Sequence, residues 1–110
     1  MPTYKTSVTP QTEDDILELM AFYADLVDDS SAIKFKTELD KTIRGLSEFP
    51  RRNAMFDGQE DIRRANMKNH KVAIIYLVDD ERLEVIAVRA FHALKDPVQA
   101  RRDILARLNK

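Results

Sequence analysis

The stretch Val72-Ala73-Ile74-Ile75-Tyr76-Leu77-Val78 constrains the fold most, because any strand it forms is apolar on both faces. A strand with no polar face must be covered above and below, which places it in the middle of a sheet. Asp79-Asp80-Glu81-Arg82 follows as a turn, and Leu83 to Phe91 supplies the return strand of a hairpin. Upstream, Ile62 to Met67 reads as a further strand, and the alternating, β-branched Tyr4 to Val8 as a short first one.

Between those strands the hydrophobic period is that of a helix. Thr9-Pro10 combines a hydroxyl cap with a proline at the first helical position. Glu13, Asp14 and Asp15 then suit the positive end of a helix dipole. Ile16, Leu19, Met20, Tyr23 and Val27 form one stripe. Asp28-Asp29-Ser30-Ser31 interrupts it, and a serine is the expected cap of a second helix. That helix has the stripe Ala32, Phe35, Leu39, Ile43 and Leu46 and stops at Phe49-Pro50. A break of about four residues between two amphipathic helices favours an antiparallel αα-hairpin. Residues 51–60 read as a loop, and Asp96-Pro97 repeats the cap-plus-proline signal. Val98, Ile104, Leu105 and Leu108 support a short C-terminal helix.

The expected fold is therefore α+β, in the order β-α-α-β-β-β-α, with the αα-hairpin packed on a small, mostly antiparallel sheet. At 110 residues the chain has room for one core, so residues 1–110 are expected to form a single domain. The N-terminus lacks a signal-peptide pattern and no apolar run is long enough for a membrane span, so a cytoplasmic location is expected.

Residue counts alone exclude several kinds of chemistry. With only Gly45 and Gly58 there is no phosphate-cradling glycine loop. Without cysteine, and with two histidines, there is no zinc constellation of recognisable spacing, and no metal or cofactor is expected. Asp79-Asp80-Glu81 reads as a solvated turn, Asp14, Asp15 and Glu18 as a solvated first turn, and His70 as an exposed loop residue. The formal net charge is −1, but residues 1–60 balance to −5 and residues 61–110 to +4. Such a split is compatible with two partner surfaces, or with ordinary variation along solvated faces. It does not give the strong positive excess usual in a nucleic-acid binder.

Four segments supply a resemblance. They are Ile62-Arg63-Arg64, the Val72 to Val78 strand with Tyr76 inside, Val85 to His92 ending Arg89-x-x-His92, and Lys95-Asp96-Pro97. With the Ala32 to Pro50 helix pattern upstream, they resemble the ParE/RelE superfamily of bacterial type II toxin–antitoxin toxins, including ParE-like plasmid stabilisation proteins. The resemblance covers nearly the whole chain and implies two rival activities. RelE-like members are ribosome-dependent messenger RNA endoribonucleases, and here His92 would be acid or base while Arg63, Arg64 and Arg89 hold phosphate charge. ParE-like members inhibit DNA gyrase and need no hydrolytic constellation. Weak basicity favours the ParE-like reading, as does Ala73, which stands on the strand where RelE-like enzymes tend to place a further cation. Tyr76 reads as a core residue more readily than as a stacking group, and His92 does not decide between the classes. The resemblance further implies a cognate antitoxin protein, with Leu17, Ala21 and Leu26 as candidate contacts on the first helix. Arg101, Arg102, Arg107 and Lys110 are candidate contacts to the target. An inactive or non-toxic binding module on the same fold is the third possibility.

Overall fold

A computed structural model of the chain describes residues 3–94 and 97–109. The elements are β1 (Lys5–Val8), α1 (Pro10–Leu26), α2 (Asp29–Gly45), β2 (Met55–Phe56), β3 (Gln59–Asn66), β4 (Val72–Asp79), β5 (Glu84–His92) and α3 (Pro97–Leu108), with a 3₁₀ turn at Pro50–Arg52. They build one five-stranded sheet in the order β1-β5-β4-β3-β2, antiparallel throughout except for the parallel β1–β5 pair.

The apolar strand β4 lies at the centre of that order, as its two apolar faces require. Ile74, Tyr76 and Val78 turn towards Phe35 and Leu39 of α2 and Ile16 and Leu19 of α1. Ala73 and Ile75 turn the other way, into a smaller core closed by Ala100 and Ile104 of α3. The alternation along one strand thus separates two cores, with the αα-hairpin on one face of the sheet and α3 on the other.

Helix starts follow the capping chemistry, with one correction. Thr9 caps α1, its Oγ1 accepting from Thr12 N at 3.1 Å, with Pro10 as the first helical residue. The cap of α2 is Asp28 rather than a serine: its Oδ1 accepts from Ser31 N at 2.8 Å. Ser30 and Ser31 are already helical, so only Val27 and Asp28 separate the helices, fewer than expected. A carboxylate caps as well as a hydroxyl, and the first suitable oxygen takes the role. The second correction concerns residues 51–60, which contain β2 and the start of β3. Asp57 (φ 55°) and Gly58 (φ 71°) both adopt the left-handed conformation. Two such residues in succession are what a tight two-residue hairpin turn needs. Asp96 and Lys110 lie outside the described residues.

Tyr76 fixes the connection from α2 to the sheet. Its ring is fully buried, its hydroxyl donates to Pro50 O at 2.5 Å, and it accepts from Asn53 Nδ2 at 3.0 Å. Burial pushes the phenol pKa up, with Asn53 acting in the opposite direction. Tyr76→Phe should keep the fold but lower stability by about 1–3 kcal/mol, because Asn53 and the Pro50 carbonyl lose a buried partner; urea denaturation followed by circular dichroism reads this.

The Asp28 cap gives a second prediction. Its backbone and side-chain hydrogen bonds with Ser31 hold the carboxyl below the usual aspartate value. The stability contributed by this depressed carboxyl is complete above the unfolded pKa and is lost as pH falls through the lower folded value. The urea-midpoint difference between wild type and Asp28→Ala should therefore narrow on acidification to about pH 2. A difference that stays constant would show that the carboxylate is not the cap in solution.

Candidate functional site at the open edge of β5

Strand β1 covers β5 only as far as Ala87, opposite Val8, and β5 runs on to His92. In the β4–β5 ladder Ile75 faces Arg89 while Tyr76 faces Ala87, so Val88 is an extra residue at a bulge. Beyond β1 the outward backbone groups of β5 take partners from helices. Thr9 N and Thr12 Oγ1 both donate to Ala87 O, at 3.1 and 2.9 Å. Arg107 Nη1 donates to Val88 O at 3.0 Å, and Ala90 N donates to Asp15 Oδ2 at 3.1 Å. The edge is closed by side chains instead of another strand.

Asp15 is the centre of this closure. Its carboxylate, 5% exposed, accepts from Arg89 Nη1 at 2.7 Å and from Arg107 Nη1 and Nη2 at 2.6 and 2.9 Å. Arg89, 8% exposed, also reaches Asp103 of α3 at 3.5 Å, while its Nε is buried without a partner among the described residues. The bond to Asp15 is the first cause that raises the Arg107 pKa. Asp15 is thus not part of a solvated first turn. It lies beside the stripe residues Ile16 and Leu19 and faces the sheet edge, where two guanidinium groups and a backbone amide neutralise it.

Next to this cluster, α1 and β5 border a groove of about 410 Å³, lined by Leu19, Phe22, Ala90, Phe91, His92 and Leu94 with Asp15, Glu18 and Arg89. His92 is half-buried there. Its ring meets Phe22 edge-on at 5.9 Å, and its Nδ1 accepts from Leu94 N at 3.3 Å. On the α3 face of the sheet, the guanidinium groups of Arg64 and Arg89 lie 5.6 and 5.7 Å from the Phe91 ring centroid.

The sequence candidates are therefore distributed over different faces. Arg63 and Arg64 are adjacent in β3 and point to opposite sides of the sheet. Arg63 spends its donors on the carbonyls of Glu60, Arg51 and Asn53, at 2.8, 3.2 and 3.0 Å. Arg89 is committed to carboxylates, and His92 faces α1. Among the C-terminal arginines, Arg107 is tied to Asp15 and Arg101 pairs with Asp57 at 2.9 Å, while Arg102 is exposed without an ion pair among the described residues. Leu17 and Leu26 are 62% and 66% exposed, and Ala21 is exposed beside them. His70 is not simply solvated: its Nε2 lies 2.7 Å from Glu38 of α2, and its ring packs edge-on to Tyr23 and Phe35. No local pattern announces that pair, because Glu38 lies far upstream and only the fold brings it close.

Residues 7–107 match the sequence family described as the ParE toxin of the type II toxin–antitoxin system parDE. The chain belongs to the ParE toxin family. The matched span contains Asp15, Arg89 and Arg107, so the whole edge cluster falls within the ParE-family domain. No curated protein matches the chain in sequence. The ParE-family fold is shared with a structure of the chromosomal ParDE toxin–antitoxin system from Pseudomonas aeruginosa: TM-score 0.70, 13% identity, covering 82% of this chain and 96% of that one. An arginine double mutant of the Escherichia coli toxin RelE in the free state superposes with TM-score 0.68 and 15% identity, over 96% and 98% of the two chains. The toxin–antitoxin complex RelBE2 from Mycobacterium tuberculosis gives 0.57 and 19%, over 84% and 93%. At these identities the likeness is one of fold.

Removing the central carboxylate of the edge cluster leaves the buried Arg89 with only the longer contact to Asp103. Asp15→Ala should lower the stability of this ParE-family domain by about 3–5 kcal/mol. Glu18→Ala, on the exposed side of the same helix, should change it by less than about 0.5 kcal/mol. Paired urea titrations check both.

Proposed function

We propose that this ParE-family toxin acts by inhibiting DNA gyrase and is held inactive by a cognate antitoxin. The observation that carries the reading is the commitment of the candidate nuclease cations. Catalysis of phosphoryl chemistry needs donors aimed together at one developing charge. Here Arg89 is neutralised by Asp15 and Asp103, Arg63 is bound to main-chain carbonyls, and Arg64 lies across the sheet from it. A protein that works by docking on its target needs no such convergence. The ParDE description of the family supports the same side.

The antitoxin is supported by the solved relatives, among which toxin–antitoxin complexes recur. On this chain the exposed Leu17, Ala21 and Leu26 of α1 are the proposed antitoxin contacts, available because the hairpin turns its other stripe inward. For the target, Arg102 is the proposed contact of the C-terminal helix. Arg101 and Arg107 hold intramolecular partners and are less free to turn outward.

Purified chain added to gyrase and relaxed plasmid should suppress supercoiling. Arg102→Glu should weaken that inhibition about tenfold or more with unchanged thermal unfolding, since one reversed contact at an interface is worth on the order of 1–2 kcal/mol. Supercoiling untouched at saturating toxin, with messenger RNA cut on translating ribosomes, would instead establish the ribonuclease reading. In that case His92→Ala should abolish cleavage.

A further inference from the structure

Asp57-Gly58 is the only Asp-Gly pair in the sequence, and it forms the exposed two-residue turn between β2 and β3. An aspartyl carboxyl followed by glycine is open to attack by the next main-chain nitrogen, because glycine has no side chain to hinder the approach. The Gly58 half of that reaction is unobstructed. Its amide N–H has no hydrogen-bond acceptor among the described residues, and a Cβ placed there would meet nothing within 4 Å. The Asp57 half is held. Its Oδ1 accepts from Arg101 Nε at 3.2 Å and from Arg101 Nη2 at 2.9 Å. Arg101 belongs to α3, where the neighbouring Ala100 and Ile104 are buried against the sheet. The turn thus takes its side-chain anchor from an element 44 positions away.

The turn conformation is a second restraint. Asp57 is left-handed, with φ 55°. A left-handed residue has ψ of about +47°, which sets the following nitrogen nearly opposite Cβ about the Cα–C bond. Ring closure needs that nitrogen on the same side as Cβ. The turn must therefore open, and Cγ must be free to follow, before the two atoms can meet. With Oδ1 on Arg101, that movement also breaks the ion pair. An exposed pair of this kind shifts an equilibrium by a factor of about two to five.

We propose that Asp57-Gly58 is a spontaneous modification site whose rate α3 restrains through Arg101. In the reaction, the Gly58 nitrogen adds to Cγ of the Asp57 carboxylic acid. The new N–C bond forms, the amide proton and the departing hydroxyl leave as one water, and a succinimide ring results. One water then reopens the ring. Addition at Cγ breaks the new bond and restores aspartate, while addition at the main-chain carbonyl breaks the original peptide bond and gives isoaspartate. Nothing is oxidised or reduced. Isoaspartate carries the chain through the former side chain, one carbon longer, so a two-residue turn no longer closes Phe56 onto Gln59. The free carboxylate then sits directly on Cα, displaced from the position that Arg101 holds. The site does not depend on which target the toxin takes.

The test incubates the full chain, Arg101→Ala and Arg101→Lys in warm neutral buffer, with circular dichroism to establish that each is folded. The tryptic peptide of residues 53–63 is followed by mass spectrometry with electron-transfer fragmentation. The succinimide registers as the loss of one water, and isoaspartate by its backbone fragments and by labelling with an isoaspartyl methyltransferase. The initial rate at Asp57 should rise about two- to fivefold in Arg101→Ala. Arg101→Lys should fall between that variant and wild type, because an ammonium keeps the charge and loses the fork. Salt at about 1 M, where the screening length is about 3 Å, should move wild type towards the Arg101→Ala rate. Equal rates in wild type and Arg101→Ala would overturn the inference. So would conversion centred on Asp61 in the same peptide, or no conversion in any of the folded proteins. If Arg101→Ala does not fold, the salt series on wild type decides, and an unchanged rate there overturns the inference as well.

Discussion

The carboxylate of Asp15 is the contact on which three elements depend. It joins α1 to the β5 backbone through Ala90 N, to the β5 side chain Arg89, and to α3 through Arg107. The αα-hairpin and α3 lie on opposite faces of the sheet, so one needs a fastening around the edge, and this cluster supplies it. A buried ion group of this kind adds little net stability over an apolar replacement, because desolvation offsets the Coulomb gain. Its effect is specificity of arrangement. If α3 shifted along the sheet, Arg107 would leave both Asp15 and the Val88 carbonyl, stranding a charge and a main-chain acceptor together.

The same cluster explains why the β5 edge is not an open template for pairing. A strand extending beyond its neighbour exposes a row of backbone donors and acceptors, which proteins commonly blunt. Here the bulge at Val88 and the side chains of Thr12, Asp15 and Arg107 take up that row. The groove left beside the blunted edge is largely apolar, with the exposed Phe22 and Leu94 at its mouth and the neutralised Asp15–Arg89 pair in its wall. Its surroundings suit recognition by side chains rather than strand addition.

The charge split between the halves of the chain also resolves into physical parts. Much of the negative half resides on α1, exposed and unpaired apart from Asp15. Part of the positive half is spent internally, with Arg89 and Arg107 neutralising Asp15 and Arg101 facing Asp57. The outward positive surface of α3 is therefore smaller than the sequence count suggests.

Local pattern was enough to define the elements: the apolar run of β4, the stripe of α2, the stripe of α1 as far as Tyr23, and the turn after β4 occupy the expected places, whereas Val27 lies beyond the end of α1 and is exposed. These follow from periodicity, which a strand or helix imposes on its own residues. The two-residue β2 was too short to carry a period, although Asp57-Gly58 marked its turn. The family pattern from Ile62 to His92 was equally legible, since it is a matter of spacing along the chain. What only the tertiary structure decided is which charged residues are free. Asp15, Arg89 and Arg107 carry the same charges in the sequence as Glu18 and Arg102, but folding joins the first three across 92 positions and leaves the other two in solvent. Burial and pairing depend on neighbours distant in sequence, and periodicity holds no information about them.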